Sequence, residues 1–178
     1  MNAVGGDPAR FGFPPEGFHE RCARAQRRWA NSMLTSSTHD TKRSGDVRLR
    51  LCLLSEIPRE WCDLVERWAA LNEKHRADQW PDRNIEYFYY QTLVGAWPLP
   101  LERALVVMEK AAREAKQHTS WTRVNPGYET ALRNFITGTL NDRAFVADVE
   151  RFVARLVEPA FINSLAETLL ILTCPGVA

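Results

Sequence analysis

From residue 46 onward apolar side chains recur at intervals of three and four, and this spacing constrains the fold more than any other feature of the chain. A period near 3.6 gathers such residues on one face of an α-helix, and each face needs something to pack against. Val47, Leu51 and Leu54 form the first set. Trp61, Leu64, Val65, Trp68 and Leu71 form a broader one behind Pro58, a residue suited to a first helical turn. Residues 75–83 are polar and read as a loop. Asn84 reads as the cap of a helix through Tyr87, Phe88, Gln91 and Thr92 to the neighbourhood of Gly95. Pro98 and Pro100 break the chain before Leu101, Leu105, Met108, Ala112 and Ala115. Asn125-Pro126 opens a helix carrying Tyr128, Leu132, Phe135 and Ile136. Asn141 or Asp142 caps the next, with Phe145, Val149, Phe152 and Leu156. Pro159 starts or kinks a last helix, expected to bury Phe161, Leu165, Leu169 and Leu172 and to end at Cys174-Pro175-Gly176.

The first 45 residues differ. Residues 1–17 are rich in Gly and Pro and read as an irregular lead-in. Phe18, Cys22, Ala25 and Trp29 mark one side of a charged helix. Ser32 to Thr38 is short and rich in Ser and Thr, and it reads either as a buried strand or as a loop. The chain is therefore expected to be mainly α, with three parts: residues 1–45, a helical body over 46–158, and a returning helix over 159–178.

Composition narrows the function classes. Hydrophobic residues at 45% and charged residues at 25% fit a packed globular chain. With 23 basic against 22 acidic residues there is no excess of positive charge to attract nucleic acid or an anionic membrane. No apolar run approaches the ~18–20 residues that span a bilayer, since Asn163, Ser164 and Glu167 interrupt the most apolar stretch, 161–172. Cys22, Cys52, Cys62 and Cys174 form no CxxC pair and no zinc-ligand spacing with histidine, and read as reduced, mostly buried thiols.

Two clusters have the groups that chemistry needs. Thr38-His39-Asp40-Thr41-Lys42-Arg43-Ser44 sets a run of polar side chains at the end of the strand-like segment. A carboxylate accepts hydrogen bonds from sugar hydroxyls, imidazole both donates and accepts, and Lys and Arg donate. The same residues also read as a solvated loop capping the helix at Asp46. Lys116-Gln117-His118-Thr119-Ser120-Trp121 places an aromatic plate beside donors, which suits stacking on the apolar face of a sugar. It equally reads as a helix end, with Lys116 and His118 near the negative pole and Trp121 packed inward. No phosphate-binding glycine loop and no activated Ser or Cys context is present.

The string from Ser37 to Ser44, followed by Asp46-Val47-Arg48, resembles the signature of the maltooligosyl trehalose synthases, members of the α-amylase clan (glycoside hydrolase family 13) with a (β/α)8 barrel. Further blocks in the same order resemble the family: Val4-Gly5-Gly6-Asp7-Pro8, Arg10-Phe11-Gly12, Leu54 to Pro58, Tyr90 to Pro98, Met108 to Lys116, His118 to Trp121, and Asn163 to Ala166. The resemblance implies a retaining transglycosylation that moves the reducing-end bond of a maltooligosaccharide from α-1,4 to α-1,1 within one molecule. Such chemistry uses an Asp nucleophile and a Glu acid/base. The motifs that carry those two residues are absent here.

By the same resemblance Asp40 is the third essential carboxylate and His39 its companion, binding the 2- and 3-hydroxyls of the reacting glucose after the seventh barrel strand. Lys42, Arg43 and Trp121 are further substrate-binding candidates. The chain would then hold a strand-seven edge and the helical insertion of an incomplete barrel, reaching at Pro175-Gly176-Val177-Ala178 the place where strand eight should start. Gly45 and Ala3 stand where acidic residues are expected. No cofactor or metal is implied. A maltooligosaccharide and the remainder of the barrel are the implied partners, with no nucleic acid and no membrane, and a cytoplasmic setting is inherited from the family.

Two other readings compete. A non-catalytic helical module would bind maltooligosaccharide or a protein without turning anything over. A His-Asp metal-dependent phosphohydrolase would use His19, His39-Asp40 and Asp142 around a divalent ion.

Overall fold

The computed structural model describes residues 12–178. The motifs at residues 4–8 and 10–11, and Ala3, lie outside them. Seven α-helices account for most of the described chain: α1 (Pro15–Arg28), α2 (Gly45–Cys52), α3 (Pro58–Asn72), α4 (Arg83–Ala96), α5 (Leu101–Ala115), α6 (Pro126–Asn141) and α7 (Arg143–Thr173). Short 3-10 turns occupy His39–Thr41, Leu53–Ser55 and Glu73–His75. The mainly helical expectation holds, and no strand forms among the described residues. The chain divides into two compact units, residues 50–157 on one side and residues 1–49 with 158–178 on the other.

The unit of residues 50–157 has a dense aromatic core. Trp68 is fully buried, and its ring meets Tyr90, Phe145, Trp61 and Phe152 at centroid distances of 5.4, 5.5, 6.0 and 6.1 Å. Mostly edge-on geometry is what the aromatic quadrupole favours. The indole N–H donates to Asp148 Oδ2 at 2.8 Å, so the polar end of the ring is satisfied where it is buried. Leu64, Leu93, Met108, Leu132, Phe135, Ile136, Val149 and Leu156 fill the remainder of the core.

A buried polar network runs through this unit as well. Glu86 accepts from Arg83 Nη1 at 2.7 Å, from Tyr90 Oη at 2.8 Å and from Arg76 Nη1 at 3.2 Å, and Asn72 donates to Tyr90 Oη at 3.0 Å. A buried carboxylate is tolerable only when paired and hydrogen-bonded in this way.

Several expectations are corrected here. Asp82, not Asn84, caps α4: its side chain accepts from the backbone N–H groups of Asn84 and Ile85 at 3.1 and 3.2 Å. The buried side of α4 is accordingly Ile85, Tyr89, Tyr90, Leu93 and Val94, while Tyr87 stays 40% exposed. α1 starts at Pro15, earlier than Phe18, because proline suits a first turn. Pro159 starts no helix and lies inside α7. Cys52 and Cys62 are exposed and Cys22 and Cys174 half-buried, so the thiols are not mostly buried.

The largest correction concerns the last helix. Phe161, Leu165, Leu169 and Leu172 are 62%, 54%, 62% and 69% exposed. Helical spacing says only that these residues share a face. It does not say that the described chain supplies a surface to cover it. α7 is continuous over 31 residues, and one stretch within it is long and apolar enough by length and composition to cross a membrane. The expectation that no segment qualifies is therefore corrected on that criterion.

Candidate functional site

The unit of residues 1–49 and 158–178 carries the His-Asp loop. Ser32 to Thr38 forms no strand. It makes an isolated parallel bridge, Met33 to Val177, with Leu34 N–H donating to Val177 O and Val177 N–H to Ser32 O, both at 2.8 Å. Gly176 sits at φ +148°, and a Cβ there would lie 2.8 Å from Ser32 O, so glycine is what permits the approach.

Beyond the bridge the chain turns sharply. Thr38 Oγ1 accepts from Asp40 N–H at 3.2 Å, and Thr41 Oγ1 reaches Thr38 O at 2.8 Å and Arg43 O at 3.0 Å. Those bonds hold a turn in which Lys42 adopts φ 62°, a left-handed conformation unusual without glycine. Arg48 Nη1 ties the segment to α2 by donating to Ser36 O at 2.8 Å.

The result is a presented pair. The His39 side chain is 91% exposed and that of Asp40 54%, with Nε2 of one 3.4 Å from Oδ1 of the other. A contact so exposed contributes little to stability. Imidazole and carboxylate therefore face outward on a braced turn. Arg43 is half-buried, and burial lowers the pKa of its guanidinium. Ser44 lies at the start of α2, its carbonyl accepting from Arg48 N–H at 3.1 Å. The two readings of this loop thus coexist, since it leads into a helix start and also displays its polar groups.

Gly45 has a local reason. A Cβ there would stand 2.7 Å from Glu167 Oε2 and 3.1 Å from Ser36 Oγ. The side chain of Glu167 fills the space that a residue larger than glycine would need.

In the other unit, α5 ends with Lys116 at φ 57°, and the following loop is stapled from within. Thr119 Oγ1 donates to Glu129 Oε1 at 2.6 Å and accepts from Asn125 N–H at 3.1 Å. Arg113 pairs with both oxygens of Glu129 at 2.9 and 2.7 Å. Its guanidinium carbon also lies 4.9 Å from the Trp121 ring centroid. Trp121 is 57% exposed, so it does not pack inward as the helix-end reading required. His118 instead sits among Trp80 and Tyr128, with ring centroids at 4.5 and 5.1 Å, and 3.5 Å from Asp82 Oδ2. Sequence reasoning missed Trp80, Asp82, Tyr128 and the Arg113–Glu129 brace. Only Asp82, a capping residue just ahead of a helix, had a local signal.

Arg113 and then Thr119 hold the Glu129 carboxyl at about 2, against burial acting the other way, and Lys74 first among its partners does the same for Asp142. A depressed folded-state pKa stabilises the fold above the unfolded-state value, and the contribution is lost as pH falls through the folded value. We therefore expect an acid-unfolding limb between about pH 4.5 and 2 that is shallower in Glu129→Gln, read by circular dichroism. An unchanged acid limb would dismiss the brace.

The phosphohydrolase ligand set finds no support. Asp142 is engaged by Lys74 Nζ at 2.6 Å and caps α7 through Ala144 N–H at 2.9 Å. Among the described residues no three His, Cys, Asp or Glu side chains gather as a metal site would require.

A braced polar loop thus stands on a unit with few buried residues among those described, in one chain with a packed helical unit. The chain is similar along its length to a segment of maltooligosyl trehalose synthases. It is 38% identical over 184 aligned positions to a putative maltooligosyl trehalose synthase of Mycobacterium tuberculosis, covering 99% of this chain and 23% of that protein. It superposes on maltooligosyltrehalose synthase from Arthrobacter ramosus with a TM-score of 0.83 at 36% identity, over 98% of this chain and 22% of that one. A glycosyltrehalose synthase of strain DSM5389 gives 0.85 at 38% identity, over 98% and 23%. The chain thus spans about a quarter of the length of these relatives. No protein-family model matches it.

Proposed function

We propose that this chain is the part of a maltooligosyl trehalose synthase that carries one edge of the sugar site and the helical insertion that follows it. The whole enzyme would convert the reducing-end α-1,4 bond of a maltooligosaccharide to α-1,1 by intramolecular transglycosylation. Asp40 would accept hydrogen bonds from the 2- and 3-hydroxyls of the reacting glucose as positive charge develops on its ring, and His39 would orient the same hydroxyls. Lys42 and Arg43 would border that subsite, and Trp121 would offer a stacking face to a sugar. The nucleophile and the acid/base belong to the remainder of the fold, so the chain alone orients a sugar and breaks no bond.

The observation that carries this reading is 38% identity along 99% of the chain. Two details support it. His39 and Asp40 stand outward on a braced turn, available to a ligand. The Met33–Val177 bridge is parallel, the pairing expected of consecutive strands of an α/β barrel joined through helices.

The test is a graft. Replacing the matching segment of the Mycobacterium relative with this chain should leave an enzyme that forms trehalose-ended products from maltopentaose, while the isolated chain forms none. Product from the isolated chain, or a folded graft without activity, would overturn the reading. The exposed Trp121 on its stapled loop favours one other reading, sugar binding without turnover. A folded, inactive graft whose isolated segment still binds maltopentaose by calorimetry would select it.

A further inference from the structure

We propose that the cleft between α3 and the first half of α7 is a second carbohydrate site, which holds a stretch of α-1,4-linked glucan with residues other than those of the His39-Asp40 loop. The cleft itself argues for a neutral, polyhydroxylated ligand. Naming that ligand as glucan rests on the functional reading above.

The spacing of charged residues builds the walls. Glu60, Asp63 and Arg67 lie three and four residues apart and so share one side of α3, and Asp148, Arg151 and Arg155 do the same on α7. Leu64 and Phe152, 3% and 5% exposed, form the floor. The cleft has a volume of about 280 Å3. Small-molecule clefts begin near ~300 Å3, so this one takes a short stretch of a chain and leaves the rest in solvent.

Bonds across the cleft hold these groups in place. Arg67 Nε and Nη2 donate to Asp148 Oδ2 at 3.2 and 2.7 Å, and Arg151 Nη1 donates to Asp148 Oδ1 at 2.8 Å. The Arg155 guanidinium spans both oxygens of Glu60. Asp148 is itself anchored by the indole N–H of the fully buried Trp68. Exposed pairs of this kind add little to stability. They do fix donors and acceptors in position ahead of a ligand, which lowers the ordering cost of binding it. Hydrogen-bonding capacity is left over. A guanidinium has five N–H donors, and in these bonds Arg67 leaves Nη1 unused while Arg151 leaves Nε and Nη2. No hydrogen bond or ion pair engages the Asp63 carboxylate among the described residues.

That inventory selects the ligand. Three guanidiniums and three carboxylates line the cleft and cancel, so an anion would have to displace Asp148 or Glu60 from its pair before it met a positive field. A divalent cation would need carboxylates free of arginine, and only Asp63 is. An apolar ligand would strip water from charged groups on both walls. A hydroxyl both donates and accepts. A row of them would give O–H groups to Asp63 and take the spare N–H groups of Arg67 and Arg151, breaking no ion pair. The C–H face of a sugar ring would lie toward the apolar floor of Leu64 and Phe152.

Two measurements test this. In the first, maltopentaose is titrated into the isotope-labelled chain and the indole N–H resonances are followed. The Trp68 resonance should move, because its N–H is bonded to a carboxylate of the cleft. Asp63→Ala/Arg151→Ala, a change at two exposed positions, should weaken that response at least tenfold, while Lys110→Ala on α5 and Asp40→Asn should retain it. Inorganic phosphate should leave the resonance where it was. In the second, equilibrium dialysis of maltopentaose against the graft carrying Asp40→Asn, which blocks turnover, should give more than one bound sugar chain per protein. The Asp63→Ala/Arg151→Ala change in that graft should return the ratio to one. A ratio that the cleft pair does not alter overturns the proposal, whether or not the isolated chain folds. So does a response lost in Asp40→Asn or Trp121→Ala and kept in the cleft variant, or an equal response to phosphate. Cleft-dependent binding in a folded graft that makes no trehalose-ended product upholds the site and removes the functional reading. An active graft with no cleft-dependent binding does the opposite.

Discussion

Asp40→Asn in the grafted synthase should lower kcat/KM for maltopentaose by about 10²–10³ while leaving thermal stability where it was. The substitution preserves the outline of the side chain. It replaces an acceptor oxygen with a donor and removes the negative charge that would face the ring as it becomes oxocarbenium-like. Contacts to the 2-hydroxyl that strengthen in the transition state supply several kcal/mol, and each ~1.4 kcal/mol is a factor of ten. Because the loss falls on an interaction strongest in the transition state, kcat should fall more than KM rises. Stability should not move: the Asp40 side chain is 54% exposed and its neighbour at 3.4 Å is the still more exposed His39. A fall of less than threefold with the fold intact would take the third-carboxylate role away from Asp40.

Trp68→Ala should destabilise the residue 50–157 unit by about 3–5 kcal/mol, a large share of the 5–15 kcal/mol that holds a typical domain together. Four aromatic rings lose their common neighbour, and Asp148 loses the indole donor at 2.8 Å. Trp68→Phe separates these contributions. It retains a ring in the cluster while removing the N–H, so its cost should be about 1–3 kcal/mol. Urea unfolding followed by helical circular dichroism gives both values. If Trp68→Ala costs no more than Trp68→Phe, the aromatic cluster is not what organises this unit.

Much of the helical body was legible because the information is local. Trp61, Leu64 and Trp68, then Tyr128, Leu132, Phe135 and Ile136, then Phe145, Val149, Phe152 and Leu156 all lie on the predicted faces and are buried. Asn125 caps α6 as expected, accepting from Tyr128 N–H at 3.1 Å, and Asp142 caps α7. Asn84 and Asp82 compete within one short window, and both residue types make good caps. Asp82 prevails in a setting that a linear reading cannot see, where its other oxygen accepts from Tyr128 Oη at 3.1 Å across 46 residues.

The candidate site divides in the same way. That His39 and Asp40 are chemically equipped to hold sugar hydroxyls follows from residue type. Their outward display follows from the Thr38 and Thr41 hydroxyls and from Lys42 at a positive φ, and none of these conformations is encoded by a period. Trp121 was identified as a possible plate, but whether it faced inward or outward depended on Arg113 and its brace to Glu129, further along the chain.

What the sequence by itself determined is the helical character, because i, i+3 and i+4 spacing, caps and first-turn prolines act within a few residues of themselves. It also determined the kinship, because many short blocks in one order are a record that needs no geometry. Only the tertiary structure decided which apolar faces are core. The stripe at Phe161, Leu165, Leu169 and Leu172 has the same spacing as those of α3 and α6, yet it stands exposed. Periodicity states that a face wants a partner, while burial depends on whether distant parts of the fold arrive to meet it.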